Sequence, residues 1–254
     1  MVYTAGAYFA YSLSISLGIN PILSFFLASI FSAILGIAID RIVYLPLRKS
    51  NSPGLVFLIA SFGIFIFIQN LLQLLYGAQI LTLRTGPVVE GYQIFSAVIT
   101  PIQILILSVS LILLVVLWII VDKAKMGKAI RAVADDPVGA SISGIYPENV
   151  ILYSFGIGSA IAGMAGILIS LETNIEPTMG MNAILKGIIA SIIGGIGSIP
   201  GALLGGFFLG IIENLGIWKI QAGWKDTIAF AVLIIFLLLR PEGILGKKNN
   251  RERL

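Results

Sequence analysis

The chain has 254 residues, with 16 Lys and Arg against 12 Asp and Glu, and a mean hydropathy of +1.04. Charged residues make up 11% of it, whereas an ordinary soluble domain has roughly 25%. Because so few charges cannot cover a water-exposed surface, the composition predicts a membrane protein. The sequence contains neither Cys nor His, which excludes thiol catalysis, disulfides, Cys/His zinc sites and a Ser-His-Asp triad.

Apolar segments long enough to be considered as membrane crossings follow one another along most of the chain. They lie at Val2–Leu17, Ile22–Leu45, Leu55–Tyr76, Pro101–Val121, Val150–Leu171 and Thr227–Leu239. The stretch Ala183–Glu213 is too long for one crossing, and Gly197-Ser198-Ile199-Pro200-Gly201 divides it into two. We therefore predict an all-α, polytopic transmembrane helical bundle of about eight segments, forming one domain over residues 1–254.

The basic residues predict the orientation, because Lys and Arg favour cytoplasmic loops. Eight crossings with a cytoplasmic C-terminus place 12 of the 16 basic residues inside, and the reverse topology would place them outside. The four others are Arg84, Lys186, Lys219 and Lys225. Both termini are therefore predicted to face the cytoplasm. We read the basic pI as loops beside anionic lipid, not as a nucleic-acid surface.

The cytoplasmic loop at residues 123–149 is the most unusual segment. Gly127 to Ala134 reads as a short amphipathic helix that ends at Asp135-Asp136-Pro137, and a second amphipathic piece runs from Val138 to Ile145. Two interpretations stay open on this pattern. The loop is either a docking surface for a partner or an amphipathic linker on the lipid headgroups.

A glycine-rich run follows the fifth long apolar segment, and it contains three overlapping GxxxG spacings. Such spacings let two helix backbones approach closely in lipid. The glycines predicted to pack helices in this way are Gly194, Gly195, Gly197, Gly201, Gly205, Gly206 and Gly210. The spacing does not fit a dinucleotide-binding loop, and no GxxxxGK[ST] motif occurs in the sequence. We expect no cofactor, and any ATP must bind to another subunit.

Polar residues at membrane depth are candidates for function. Gln69, Asn70 and Gln73 predict either interhelical hydrogen bonds or a substrate path, and both alternatives stay open. Lys186 is a further candidate for the substrate path. It either pairs with Glu213 or both side chains snorkel to the interface.

Close acidic pairs do not indicate an enzyme. Asp40 is expected to form an ion pair with the adjacent Arg41 or with another helix. The close carboxylate pairs, Asp135-Asp136 and Glu172 with Glu176, have no nucleophile or metal-ligand set opposite them.

Several motifs resemble the permeases of the branched-chain amino-acid ABC transporter family. These are MGKAIRAVADDPVGASISGI, which is similar to that family's coupling loop, KGIIASIIGGIGSIPGALLGGFFLGIIEN, KDTIAFAVLIIFLLLRPEGILG, DRIVYLPLRKS and LIASFGIFIFIQN. The resemblance implies an importer subunit of a prokaryotic cell (inner) membrane. It further implies a second homologous permease, two ATP-binding cassette subunits and an extracytoplasmic solute-binding protein as partners. The ATPase contacts would fall on Gly127, Arg131, Ala132, Asp135, Asp136 and Pro137.

The start of the chain departs from the family pattern. Family members usually begin about 40 residues earlier, with one more helix of membrane-crossing length and an Asn-Phe-Ala-His-Gly motif. We expect either a start placed too late or a short variant. Two other classes stay open: an ion-coupled secondary carrier, which would need acidic residues at the midplane, and a scaffold that does not transport.

Overall fold

The computed structural model describes residues 1–83, 91–94, 97–218, 221–240 and 242–246. Arg84, Lys219 and the basic residues after position 246, which entered the orientation argument, lie outside these ranges. The chain divides into two compact units, residues 1–180 and 181–254.

Most of the described chain is helical. Unit 1 contains α1 (Val2–Tyr11), α2 (Pro21–Ile39), α3 (Leu45–Lys49), α4 (Gly54–Tyr76), α5 (Pro101–Asp122), α6 (Lys125–Asp135), α7 (Pro137–Ile142) and α8 (Pro147–Glu172), and α9 (Met179–Gly194) begins at its end. Unit 2 continues with α10 (Ile199–Ile217) and α11 (Lys225–Leu239). Short π-helical segments follow α1 and α2, at Ser12–Ser16 and Asp40–Tyr44. Two three-residue strands, β1 (Tyr92–Ile94) and β2 (Ala97–Ile99), pair in antiparallel register.

Five helical stretches among the described residues are long and apolar enough to cross a membrane. They are Pro21–Lys49, Gly54–Tyr76, Pro101–Asp122, Pro147–Glu172 and Ile199–Gly216. The predicted all-α membrane bundle is confirmed in class. Each of the eight predicted segments contains a helix, but α1, α9 and α11 are shorter than a full crossing, so eight crossings are not confirmed.

Local sequence explains where the long helices begin. Asn20 accepts a hydrogen bond from the Ile22 backbone at 3.0 Å, and Pro21 occupies the first helical position of α2. At α5, Thr100 and Gln103 form a reciprocal capping box, and Pro101 again occupies the first helical position. Both patterns satisfy amide groups that a helix start leaves without partners.

Small residues hold the core of unit 1 together. Gly163 of α8 lies against the side chain of Ser32 on α2, and its backbone meets Gly6 of α1: a Cβ added at Gly6 would lie 2.8 Å from the Gly163 Cα. Ser32 is buried and donates to the Ala28 carbonyl at 2.9 Å. Three helices can therefore approach at backbone distance, as GxxxG-type packing allows in lipid.

The glycine-rich run forms the turn of unit 2. The break covers residues 195–198, slightly earlier than predicted, because Gly195 and Gly197 adopt φ of +103° and +87°. L-residues rarely adopt such angles, so glycine is required there. Backbone hydrogen bonds from Ile244 to Ile193 (2.8 Å) and from Leu245 to Gly194 (2.9 Å) then tie the chain after α11 to the end of α9.

The predicted packing glycines differ in what surrounds them. A Cβ at Gly194 would overlap the carbonyl of Gly201, and one at Gly205 would overlap the carbonyl of Ala190. Gly206 meets only an ordinary contact at 4.0 Å, and Gly210 faces open space. Close backbone approach between α9 and α10 therefore rests on part of the predicted set.

Candidate coupling loop and polar sites

The predicted docking loop is tied tightly to the end of α5. Gly127 is buried, and an added Cβ there would overlap the carbonyl of Val121. Arg131 donates to the Val121 carbonyl and, at 3.5 Å, to the Asp122 carbonyl. A guanidinium on the last carbonyls of a helix satisfies orphan acceptors and suits the negative end of the helix dipole. These two predicted contact residues therefore set the angle between α5 and α6.

Asp136 organises the next corner. Its carboxylate accepts from the Val138 backbone at 2.9 Å and caps α7, with Pro137 in the first helical position. Ala132 packs against the small apolar cluster of Val133, Ala140 and Val150. Asp135 is exposed, and its side chain forms no ion pair or hydrogen bond within the described ranges. Of the six predicted contact residues, Asp135 is the carboxylate left free for a partner.

The loop also carries exposed apolar side chains, which the sequence analysis did not single out as contact residues. Val138, Ile142 and Tyr146 are 68%, 83% and 76% exposed. Val138 and Ile142 stand four residues apart on α7, so they share one face. The four-residue spacing of these two apolar residues was the sequence feature that could have indicated the exposed face. We call Asp135, Val138, Ile142 and Tyr146 the loop face.

The three predicted polar residues of α4, Gln69, Asn70 and Gln73, do not join helices through their side chains. Asn70 is exposed and donates to the Ile66 carbonyl of its own helix at 2.8 Å. Gln69 and Gln73 are half-buried, and their amides form no hydrogen bond among the described residues. The alternative of interhelical hydrogen bonds is therefore not realised at these three positions in the described chain.

Unit 2 contains a partly buried charge cluster. Lys186 Nζ lies 2.9 Å from Glu213 Oε2 and 3.8 Å from Asp226 Oδ1, and Lys225 Nζ lies 3.7 Å from the same Glu213 oxygen. Glu213 is 4% exposed. The ion pair between α9 and α10 therefore forms, and Glu213 does not extend to the surface. A narrow pocket beside Lys186, lined also by Asn182, Asp226 and Phe230, has room for about one water molecule.

A second ion pair, with a buried carboxylate, shows which of the two alternatives for Asp40 forms. Its carboxylate binds Arg48, eight residues further on, at 2.7 and 3.0 Å. The adjacent Arg41 is exposed. The π-helical segment at Asp40–Tyr44 and the short α3 separate the two partners along the chain. The pair that forms is therefore the one with another helix, and the adjacent Arg41 is not the partner.

Glu172 makes a structural contact between two helices. Glu172 accepts a hydrogen bond from Gln103 at 2.8 Å, which links α8 to the start of α5. Within the described ranges, no group of three or more acidic, Cys or His side chains is placed to hold a metal ion. These features are those of a polytopic helical membrane protein whose loop between α5 and α8 is ordered and carries exposed apolar side chains.

The comparisons with known proteins give the family. The sequence model described as "Branched-chain amino acid transport system / permease component" matches residues 1–237. The chain therefore belongs to this family of ABC transporter permeases. No solved structure matches the chain.

Three relatives illustrate the range of similarity. The high-affinity branched-chain amino acid transport system permease protein LivH of Escherichia coli K12 is 40% identical over 87% of this chain and 72% of its own length. The corresponding protein BraD of Pseudomonas aeruginosa is 36% identical over 97% and 84%. The autoinducer 2 import system permease protein LsrC of Yersinia enterocolitica is 29% identical over 63% and 48%.

Proposed function

We propose that the chain is the membrane-spanning permease subunit of an ATP-driven importer for branched-chain or related amino acids. The names and the degree of identity of LivH and BraD support this substrate class. In this proposal the protein lies in a prokaryotic inner membrane with both termini in the cytoplasm. It assembles with a second permease, two ATP-binding cassette subunits and an extracytoplasmic solute-binding protein. The protein itself carries out no covalent chemistry.

The observation that supports the coupling role is the loop face. Apolar side chains as exposed as Val138 and Ile142, on a short helix that follows the free carboxylate of Asp135, form the kind of surface that a protein partner covers. The proposed partner is the ATPase subunit, because this sequence has no nucleotide-binding loop of its own.

The rigid corner supports transmission of force through the same loop. A displacement of α7 reaches α6 across the cluster of Val133, Ala140 and Val150. It then reaches α5 through Gly127 and the hydrogen bonds of Arg131. In the proposed mechanism, closure of the ATPase dimer pushes on the loop face, and the helices attached to it change which side of the permease pair is open. A packed corner is required for this, because a flexible loop would absorb the motion.

The proposal is tested by reconstituting the chain with its candidate partner subunits in proteoliposomes. Leucine uptake should require ATP on the cytoplasmic side and the solute-binding protein on the other side. Uptake that an ion gradient alone supports, with neither ATP nor ATPase present, would contradict the proposal. A panel of unlabelled isoleucine, valine, lysine, glutamate and autoinducer 2 as competitors would define the solute.

A further inference from the structure

Hydroxyl-bearing residues recur at four-residue intervals along the first helix. Thr4, Tyr8 and Ser12 therefore share one face of α1 and its π-helical extension. Thr4 and Tyr8 are both 0% exposed, and neither of their hydroxyls has a hydrogen-bond partner in the part of the chain that the structure describes. Ser12 shares a hydrogen bond of 2.6 Å with the hydroxyl of Tyr76. The face thus holds two buried hydroxyls whose hydrogen-bonding capacity is unused.

Tyr8 and Ser12 of this face lie against α4, whereas the hydroxyl of Thr4 lies beside Gly180. The rings of Tyr8 and Tyr76 have their centroids 4.8 Å apart. Gln73 precedes Tyr76 by three residues and therefore shares its side of α4. It is half-buried, and its amide is likewise unbonded among the described residues. We call Thr4, Tyr8, Ser12, Gln73 and Tyr76 the hydroxyl seam.

The unused hydroxyls of the seam are not a general property of this bundle. Ser32 and Ser170 are equally buried, and each donates to a carbonyl of its own helix, at 2.9 and 2.6 Å. Buried polar groups in proteins almost always have partners, and leaving one without a partner costs free energy. In membrane proteins, polar residues inside the bundle are candidates for function, and solute paths are among the functions they serve. A polar ligand that bonded to these hydroxyls would remove this free-energy cost.

We propose that the hydroxyl seam binds the ammonium and carboxylate groups of the transported amino acid; this inference rests on the proposed import function. The hydroxyls of Thr4 and Tyr8 can donate to the carboxylate. The side-chain carbonyl of Gln73 and the hydroxyl oxygens can accept from the ammonium. None of the five seam residues is charged, which suits a zwitterion without net charge. A charge that does act on the seam is the carboxylate of Glu176, which interacts electrostatically with Tyr8 and favours the ammonium group of the solute.

The seam is closed in the structure, because Thr4 and Tyr8 are fully buried. Solute access to Tyr8 therefore requires α4 to separate from α1, because Tyr76 covers the Tyr8 ring. Within the described ranges, the Ser12–Tyr76 hydrogen bond is the sole side-chain hydrogen bond that joins these two segments. The solute would form hydrogen bonds with the unbonded hydroxyls of Thr4 and Tyr8, and the Ser12–Tyr76 bond is the side-chain hydrogen bond that would have to break.

The experiment uses the complete transporter and two nearly isosteric substitutions, Thr4→Val and Tyr8→Phe. Each removes one hydroxyl, and each should raise the KM for leucine about threefold to tenfold. The midpoint of thermal unfolding should stay constant or rise, because the deleted group has no partner in the folded protein. Ser170→Ala is the matched control: it removes a buried hydroxyl that is already bonded within α8, and it should leave the KM unchanged.

A purely structural role gives the opposite pattern, with a lower unfolding midpoint and an unchanged KM in the Thr4 and Tyr8 variants, and this result would overturn the proposal. Gln73→Glu adds a charge test. It should make lysine a competitor of leucine uptake, and an unchanged competitor profile would count against the seam. If the unsubstituted assembly transports no leucine with ATP, the proposed function fails instead, so the two failures are distinguishable.

Discussion

Arg48 holds the buried carboxylate of Asp40 through two hydrogen bonds of 2.7 and 3.0 Å. Asp40 is 1% exposed, whereas the Arg48 side chain keeps partial access to the surface. Bidentate geometry of this kind is among the stronger polar contacts in proteins. The pair spans the π-helical segment, so it ties the end of α2 to α3.

Removing the arginine should be more harmful than removing an exposed arginine beside it. Arg48→Met leaves an unpaired buried carboxylate and should lower the free energy of unfolding by about 3–5 kcal/mol. Arg41→Met removes the exposed neighbour and should change it by less than about 0.5 kcal/mol. Unfolding of the purified protein in detergent measures both. Equal effects of the two substitutions would show that Asp40 does not depend on Arg48.

The loop face should control binding of the ATPase subunit. Ile142→Asp replaces a side chain that is 83% exposed in this chain alone, so it should not unfold the permease. Burial of such a side chain in an interface contributes about 1.5–3 kcal/mol, and its loss should weaken ATPase binding roughly tenfold to a hundredfold. A titration of the purified ATPase onto the permease measures the affinity.

Ile142→Val is the matched control for this experiment, because it keeps an apolar side chain on the same face. It should retain nearly full affinity. An Ile142→Asp protein that binds ATPase as tightly as the unsubstituted chain would remove the loop face from the coupling account.

Reversing the charge at Arg131 should uncouple ATP hydrolysis from uptake. A carboxylate at this position cannot donate to the carbonyls of Val121 and Asp122, and it faces the negative end of the α5 dipole. Arg131→Glu should therefore leave membrane insertion intact and reduce leucine uptake per ATP hydrolysed.

Lys128→Glu provides the charge-matched control on the same helix. Lys128 is exposed, and its side chain has no partner among the described residues. Measuring uptake and hydrolysis in parallel in the three proteins separates the effect of the corner from that of charge alone. Normal coupling in Arg131→Glu would argue against a corner that transmits force.

Two glycines of α10 should respond in opposite directions to the same substitution. Gly205→Ala places a Cβ against the Ala190 carbonyl of α9, and such overpacking should destabilise the protein by about 1–3 kcal/mol. Gly210→Ala meets open space and should stabilise α10 by up to about 1 kcal/mol through helix propensity. Thermal unfolding of the two variants tests this difference. Similar midpoints would mean that α9 and α10 do not pack at Gly205.

Periodic and compositional features were readable from the sequence. The apolar run at Pro101–Val121 became α5, which ends one residue later, at Asp122. The Asp-Asp-Pro stop separated α6 from α7 as predicted, because Asp136 both follows one helix and caps the next. These features depend on residues close together along the chain, so local chemistry determines them.

Contacts between distant residues could not be read in the same way. The Asp40–Arg48 pair depends on a π-helical segment that has no clear sequence signal. The sequence does not show that Gly163 lies against α1 and α2, because that contact exists only once the three helices pack together. The unused hydroxyls of Thr4 and Tyr8 became visible only when their lack of partners was known. Which GxxxG glycines face a neighbour likewise depends on how two helices are rotated against each other, as Gly205 and Gly210 illustrate.

The central claim is that this permease moves amino acids only when a separate ATPase drives it. The most direct measurement is leucine uptake into proteoliposomes that contain the purified assembly, with and without ATP, compared with vesicles that contain this chain alone under an ion gradient. The account predicts ATP-dependent uptake by the assembly and none by the chain alone. Gradient-driven uptake by the chain alone would contradict it and would identify a secondary carrier.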